Sequence, residues 1–113
     1  MKSADYIQTM CEYNRWMNER LFDVCATIPD ETRKENKGAF FHSIHGTLNH
    51  LLVGDKIWLG RFLGQPFAVK SLDQELHSDF NELRQEREKT DDIIDEWARS
   101  LNDEKLSSPL IFR

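Results

Sequence analysis

The fold is decided by a stretch of 24 residues at positions 40–63, FFHSIHGTLNHLLVGDKIWLGRFL. Its apolar residues recur at helical intervals along one stripe, namely Phe41, Ile44, Leu48, Leu52, Leu59 and Phe62. This spacing is typical of a helix that packs one face against its neighbours. A glycine and a proline at positions 64 and 66 predict its end, so we expect a helix from about residue 40 to residue 63.

Two further stretches show the same periodicity. Residues 4–28 carry small and apolar residues with two asparagines on the same line: Ile7, Cys11, Asn14, Asn18, Leu21, Cys25 and Ile28. Residues 71–102 carry a third line: Leu76, Phe80, Leu83, Arg87, Thr90, Ile94, Trp97 and Leu101. Ser71 and Gln74 match a capping box, which predicts the start of this helix. Three such helices predict an all-α, antiparallel up-down helical bundle.

The chain length of 113 residues predicts one domain, residues 1–113, with three long helices and a C-terminal tail. The charged connection at residues 29–38 is expected to be solvated. A net charge of -5 argues against nucleic acid as a partner, because binding to phosphates depends on clustered Lys and Arg. The sequence contains no run of about 18 apolar residues that would predict a membrane span, and its first residues lack the apolar core of a signal peptide. We therefore expect a cytoplasmic protein.

Cys11 and Cys25 lie on the first predicted helix, where fourteen positions separate them by about 21 Å. That distance is far beyond the reach of a disulfide. We therefore expect two free, buried thiols, and this cysteine usage fits a reducing compartment.

Polar residues fall near the midpoint of each predicted helix: Asn14 and Asn18 on the first, His50 on the second, Arg87 and Thr90 on the third. In an up-down-up bundle these midpoints lie at one level. A buried polar layer usually serves either as a hydrogen-bonded device that fixes helix register or as a ligand site. Helical spacing leaves both alternatives open.

The histidines are the candidate metal ligands. His50 shares a line with Gly46, Gly54 and Ile57, and the two glycines either admit another helix closely or leave room for a metal or small ligand beside the imidazole. His42 and His45 are three residues apart and could share one helical face, although a role in solvent or at an interface is simpler. No complete set of zinc ligands can be assembled from adjacent residues.

Three stretches resemble the DinB family of damage-inducible proteins: residues 13–21, YNRWMNERL, residues 41–52, FHSIHGTLNHLL, and residues 55–62, DKIWLGRF. The resemblance implies a four-helix bundle, often dimeric, in which three histidines hold a divalent metal such as zinc or nickel. It also implies kinship with transferases that use small thiols. The ligand on the second helix of that family corresponds to His50.

The resemblance further implies that the other two ligands come from a later helix, which would follow residue 113. We therefore expect a DinB-like four-helix bundle with the final helix missing, and weak or absent metal binding in this chain. The leading hypothesis is a non-catalytic or uncharacterised stress-associated subunit that forms a homodimer. The alternative is a metal-dependent thiol-transferase or hydrolase-like enzyme whose site is completed across a subunit interface.

Overall fold

A computed structural model describes residues 3–36, 43–68 and 74–101. In this part of the chain the regular secondary structure is entirely α-helical, which confirms the predicted fold class. Four helices follow one another: α1 (Ser3–Ala26), α2 (Asp30–Lys34), α3 (Ile44–Leu63) and α4 (Phe80–Ser100). No helix of the described residues is long and apolar enough to cross a membrane.

The core-facing line of α1 follows the predicted line at most positions and departs from it at two, where Arg15 and Phe22 face inward in place of Asn14 and Leu21. Phe22 is only 2% exposed, whereas Leu21 is 38% exposed. Phe22 stacks on Phe80 of α4 with ring centroids 5.6 Å apart. The large aromatic ring buries more apolar surface than a leucine, so α1 turns Phe22 inward, and the predicted inward position of Leu21 is wrong.

The short helix α2 lies inside the connection that was expected to be solvated, and that expectation is wrong for Arg33. Its buried guanidinium donates hydrogen bonds to the carbonyl oxygens of Cys25, at 3.0 Å, and Ile28. It also lies over the ring of Phe80, 3.9 Å from the centroid. Arg33 thus satisfies carbonyl groups at the end of α1, which have no partner within that helix.

Local capping determines both ends of α3. The Ser43 hydroxyl accepts a hydrogen bond from the backbone N–H of Gly46 at 2.9 Å. At the other end Gly64 adopts a left-handed conformation with φ 71, which glycine does at little cost. The end predicted at residue 63 is confirmed. The start predicted near residue 40 is wrong, because Ser43 has an extended backbone and caps a helix that begins at Ile44.

Helix α4 begins at Phe80, so the predicted start at Ser71 is wrong: residues 74–79 are not helical, and Ser71 itself lies outside the described residues. Asp79 and Glu82 offer a second match to the capping pattern. The Asp79 carboxylate accepts from the Glu82 backbone N–H at 2.9 Å. An aspartate cap also favours the positive end of the helix dipole.

Contacts between the long helices define their directions. Arg15 and Asp23 of α1 bind Asp95 and Arg84 of α4, so α1 and α4 are antiparallel. Asn49 of α3 binds the backbone just before α4, and Trp58 of α3 packs on Trp97 late in α4.

These contacts make α3 and α4 parallel, so the predicted up-down-up course is wrong for this pair. The described parts of the connection from α3 to α4, residues 64–68 and 74–79, are here called the returning connection. They lie toward opposite ends of α3, because Gln65 and Phe67 lie beside Gly60, whereas Leu76 and His77 bind Asn49.

Two apolar clusters occupy opposite parts of the bundle. The first joins α1, α3 and α4 through Phe22, Cys25, Leu48, Leu52, Phe80 and Leu83. The second is built around Ala4 and Leu101, with Ile7 and Trp97 packed against it. Between these clusters α1 and α4 carry charged and polar side chains, including Arg15, Asn18, Arg87 and Asp91, which form the candidate site.

Candidate functional site: a buried charge layer

Arg87 lies at the centre of a layer of charged and polar side chains and is only 3% exposed. Its Nε and Nη2 donate to Oδ1 of Asp91 at 3.1 and 2.7 Å. Nη2 also donates to Oδ2 of Asp55 on α3 at 2.7 Å. One guanidinium therefore connects two carboxylates on two helices, which offsets part of the cost of burying it.

Asp91 extends the layer to α1. It is 2% exposed and accepts hydrogen bonds from Nδ2 of Asn18 at 3.2 and 3.3 Å. Burial raises the pKa of the Asp91 carboxyl above its ordinary value, and the nearby charge of Asp55 raises it further, while Arg87 and Asn18 lower it. Asp91 thus connects α4 to α1, and Arg87 connects α4 to α3, so the buried pair links all three long helices.

The carboxylate of Asp55 is occupied on both oxygens. Oδ1 accepts from the indole N–H of Trp58 at 3.0 Å, and Oδ2 accepts from Arg87. Neither oxygen is left without a protein donor. Asp55 therefore serves the layer as a hydrogen-bond acceptor for donors on α3 and α4.

A second arginine binds carboxylates on the outer side of the layer. Arg15 of α1 binds the carboxylates of Asp92 and Asp95 on α4. Hydrogen bonds to these two carboxylates raise the pKa of the Arg15 guanidinium. Arg15 therefore remains charged at any working pH, and its contacts fix the register of α1 against α4.

The structure brings together some of the sequence-predicted layer residues and not others. Asn18 and Arg87 meet at Asp91, and Thr90 is buried beside them, with a hydroxyl that has no hydrogen-bond partner among the described residues. Asn14 is exposed and lies outside the layer, contrary to prediction. The neighbouring Arg15 takes the inward position instead, because it binds Asp92 and Asp95 of α4.

Sequence reasoning missed the acidic members Asp55 and Asp91. One signal was available, because Asp91 follows Arg87 by four residues and so lies on the same face of the helix. A buried guanidinium also requires a counter-charge, and asparagines cannot provide one. The partnership with Asp55, 32 residues away, depends on the parallel course of α3 and α4 and has no local signal.

His50 is half-buried on α3, five positions before Asp55. A Cβ added at Gly54, one turn beyond His50, would have nothing within 4 Å among the described residues. Of the two interpretations of the flanking glycines, open space fits Gly54 better than a closely packed helix. His42 lies outside the described residues.

His45 is buried, so the expected role in solvent or at an interface is wrong. Its Nε2 donates to the backbone carbonyl of His77 at 2.8 Å. It therefore contributes to holding the segment before α4 rather than facing outward. The physical reason is the returning connection, which covers the first turn of α3.

Asn49 completes this attachment and was also missed. Its Oδ1 accepts from the backbone N–H groups of Leu76, at 2.8 Å, and His77, at 3.2 Å. Its Nδ2 donates to the carbonyl oxygens of His45 and His77 at 3.1 and 3.3 Å. One buried amide thereby satisfies the backbone of a non-helical segment, which could not otherwise be buried at low cost.

The described side chains do not fit the three-ligand metal site that the family resemblance implies. Within residues 3–36, 43–68 and 74–101 there is no group of three or more His, Cys, Asp or Glu placed to hold a metal ion. The carboxylates nearest the middle of the bundle are bound to Arg87, whose positive charge also opposes a cation. The described donor set is thus too small for tight zinc or nickel.

The fold and the site together define the class of this protein: a bundle of long helices joined by a buried arginine–carboxylate layer. The DinB family model matches residues 1–110, and the chain belongs to the DinB family. Protein DinB of Bacillus subtilis (strain 168) is 28% identical over 65 residues, a match that covers 58% of this chain and 38% of the relative. The match thus spans well under two thirds of that relative. No solved structure shows a significant match.

Proposed function

We propose that this chain is a non-catalytic, homo-oligomeric bundle subunit of the DinB family that acts in the cytoplasm. The observation that carries the proposal is the occupied charge layer at mid-height. Arg87 stands between Asp55 and Asp91, at the level where the family resemblance led us to expect metal-binding histidines. A layer built this way favours fixed helix register over chemistry. The stress-associated role rests on the family resemblance alone.

The electrostatics of the layer support weak or absent binding of zinc or nickel by these side chains. Asp55 accepts hydrogen bonds from Trp58 and Arg87, and the positive charge of Arg87 next to it opposes a cation at this carboxylate. A tight zinc site needs about three or four protein ligands. Among residues 3–36, 43–68 and 74–101, no group of three or more His, Cys, Asp or Glu is placed to hold a metal ion around His50.

Metal content tests the proposal directly. Untagged protein is incubated with zinc or nickel chloride, freed of loose metal by gel filtration and analysed by plasma mass spectrometry. We expect far less than about one ion per chain in the wild type and in His50→Ala. His77→Ala is the matched control, because the hydrogen bonds that His77 makes to His45 and Asn49 use its backbone, which this substitution keeps.

The contrary result is equally specific. About one tightly held ion per chain that is lost in His50→Ala and kept in His77→Ala would overturn the non-catalytic proposal. It would favour the alternative hypothesis of a metal-dependent transferase or hydrolase whose site is completed across a subunit interface. Loss of metal in both variants would point to a site near the start of α4 and would equally contradict the proposal.

A further inference from the structure

A groove of about 410 Å³ lies between α3 and α4, beside the start of the returning connection. On the α3 side it is lined by Lys56, Gly60 and Leu63, which follow one another at helical steps of four and three. On the α4 side it is lined by Thr90 and Ile93. Because the two helices are parallel, these lines run side by side in the same direction. A volume of this size is typical of pockets that hold small molecules.

The border of the groove is fixed by a close contact between α3 and the returning connection. A Cβ at Gly60 would lie 2.7 Å from the carbonyl oxygen of Gln65 and 3.0 Å from the backbone nitrogen of Phe67, so the connection lies directly on the helix here. The ring of Phe67 then reaches Lys56, whose Nζ is 5.7 Å from the ring centroid. The groove is therefore pre-formed, as most small-molecule sites are.

The walls of the groove are mainly apolar. They include Leu59, Leu63, Pro66, Phe67 and Ile93. Leu63 is 44% exposed and Ile93 is 41% exposed, so both retain apolar surface that a ligand would remove from water. The main body of a ligand in this groove should thus be apolar.

The charge of the groove is balanced. Lys56 is the one charged side chain among the described residues that line it, and its amine donates a hydrogen bond to the carboxylate of Glu86 on α4. That hydrogen bond lowers the pKa of the Glu86 carboxyl, so the pair is ionised at neutral pH. An anionic ligand would meet the charge of Glu86, and a cationic one that of Lys56. A neutral ligand is therefore favoured.

Thr90 offers a hydrogen-bonding group on the α4 side of the groove. It is 1% exposed, and its hydroxyl has no hydrogen-bond partner among the described residues. A buried hydroxyl without a partner costs free energy, and nearly all such groups in folded proteins are satisfied. A ligand hydroxyl can both donate to and accept from this group, so a single polar group on the ligand would remove the cost.

The groove lies away from the candidate metal ligand His50. At about 100° per residue, positions nine apart lie on opposite sides of a helix. Leu59 lines the groove and is nine residues from His50. A ligand in the groove would therefore bind on the side of α3 opposite to His50.

We propose that this groove binds a small neutral phenol or alcohol. Its apolar body lies against Leu59, Leu63 and Ile93, and its hydroxyl forms a hydrogen bond with Thr90. The inference goes beyond the proposed function, because it needs neither a metal nor a second copy of the chain.

Matched probes that differ in one group test the proposal. 1-Naphthol is neutral and carries one hydroxyl, naphthalene lacks that hydroxyl, and 1-naphthoate is an anion of similar size. Equilibrium dialysis should show saturable binding of about one 1-naphthol per chain with a Kd below ~100 μM. Naphthalene should bind at least ~10-fold more weakly because it leaves Thr90 unsatisfied, and 1-naphthoate should do so because of Glu86. Non-specific apolar binding would instead favour naphthalene.

Three variants locate the probe. Leu63→Glu and Leu51→Glu place the same charge on α3 at positions that are both 44% exposed, but Leu63 lines the groove and Leu51 does not. Leu63→Glu should weaken the binding of 1-naphthol at least ~10-fold, whereas Leu51→Glu should leave it unchanged. Thr90→Val removes the hydroxyl with little change in shape and should abolish the preference for 1-naphthol over naphthalene. Circular dichroism should show full helix content in all three variants.

Several results would overturn the proposal. Absence of saturable 1-naphthol binding, or equal weakening by Leu63→Glu and Leu51→Glu, would show that the groove is not the site. Tighter binding of 1-naphthoate or naphthalene than of 1-naphthol would contradict the ligand class. A preference for 1-naphthol that persists in Thr90→Val would contradict the role of Thr90. None of these results depends on metal content, so a failure here is distinct from a failure of the proposed function.

Discussion

Asp55 on α3 and Arg87 on α4 are joined by a hydrogen bond of 2.7 Å between Oδ2 and Nη2, across a parallel pair of helices. Arg87 also binds Asp91, so a single cation compensates two carboxylates. The stability of the fold should therefore depend more on the cation than on either carboxylate. Removing the cation leaves two acids close together, whereas removing the cation together with one acid leaves a smaller imbalance.

Replacing Arg87 with Leu should therefore lower the free energy of unfolding by about 3–5 kcal/mol, because Asp91 would be buried without its cation. The double variant Arg87→Leu with Asp91→Leu should recover most of that loss, since the buried charge is removed with its partner. Urea unfolding of the two variants and the wild type measures both values. An Arg87→Leu protein as stable as the wild type would show that the layer does not depend on this cation.

The pH dependence of stability should report the raised pKa of Asp91. Burial raises that pKa above the ordinary 3.8, so the folded chain binds the proton more tightly than the unfolded chain over the window that begins near pH 3.8 and extends upward. Stability that comes from Asp91 should thus be present at low pH and decline as the pH rises through this window.

Comparison with Asp91→Asn isolates this contribution, because the other carboxyl groups titrate in both proteins. The stability of the wild type relative to Asp91→Asn should fall as the pH is raised from about 3.5 to about 7. Urea unfolding at several pH values measures it. A relative stability that increases with pH would show that Arg87 and Asn18 outweigh burial and that the pKa of Asp91 is lowered.

Asn49→Ala should detach the segment before α4. The change removes four hydrogen bonds and leaves the half-buried backbone N–H groups of Leu76 and His77 without an acceptor, while the carbonyl oxygen of His77 keeps the hydrogen bond from His45. We expect a loss of about 2–4 kcal/mol in unfolding free energy, with faster amide exchange at residues 76 and 77. Asn81→Ala, at an exposed position on α4, is the control and should be nearly neutral. Equal effects of the two variants would contradict the role given to Asn49.

Alanine substitutions at Gly60 and Gly54, two glycines of α3, are expected to change stability in opposite directions. A Cβ at Gly60 would lie 2.7 Å from the carbonyl oxygen of Gln65 and 3.0 Å from the backbone nitrogen of Phe67, so Gly60→Ala must displace the start of the returning connection. We expect a loss of about 1–3 kcal/mol.

Gly54→Ala meets open space and should raise stability by roughly 0.5–1 kcal/mol through helix propensity. Thermal and urea unfolding of the two variants measures both values. If Gly60→Ala were also stabilising, the connection would not lie against α3 as described.

The sequence by itself determined the helical class and much of the buried line of α4. Leu83, Arg87, Thr90 and Ile94 are all buried as predicted, because a spacing of three and four residues places side chains on one face whatever the partner. The end of α3 at Gly64 was equally local, since a glycine can adopt the left-handed conformation that terminates a helix. Periodicity and capping act within a few residues and can be predicted without knowledge of the fold.

Tertiary structure decided the rest. Phe22 rather than Leu21 faces the core because it stacks on Phe80. Asp79 rather than Ser71 caps the start of α4, because the preceding segment is bound to His45 and Asn49. The parallel course of α3 and α4, which follows from that attachment, brings Asp55 to Arg87. The pairing of a buried cation depends on which helices meet and in which direction, and residues 32 positions apart carry no local pattern that specifies it.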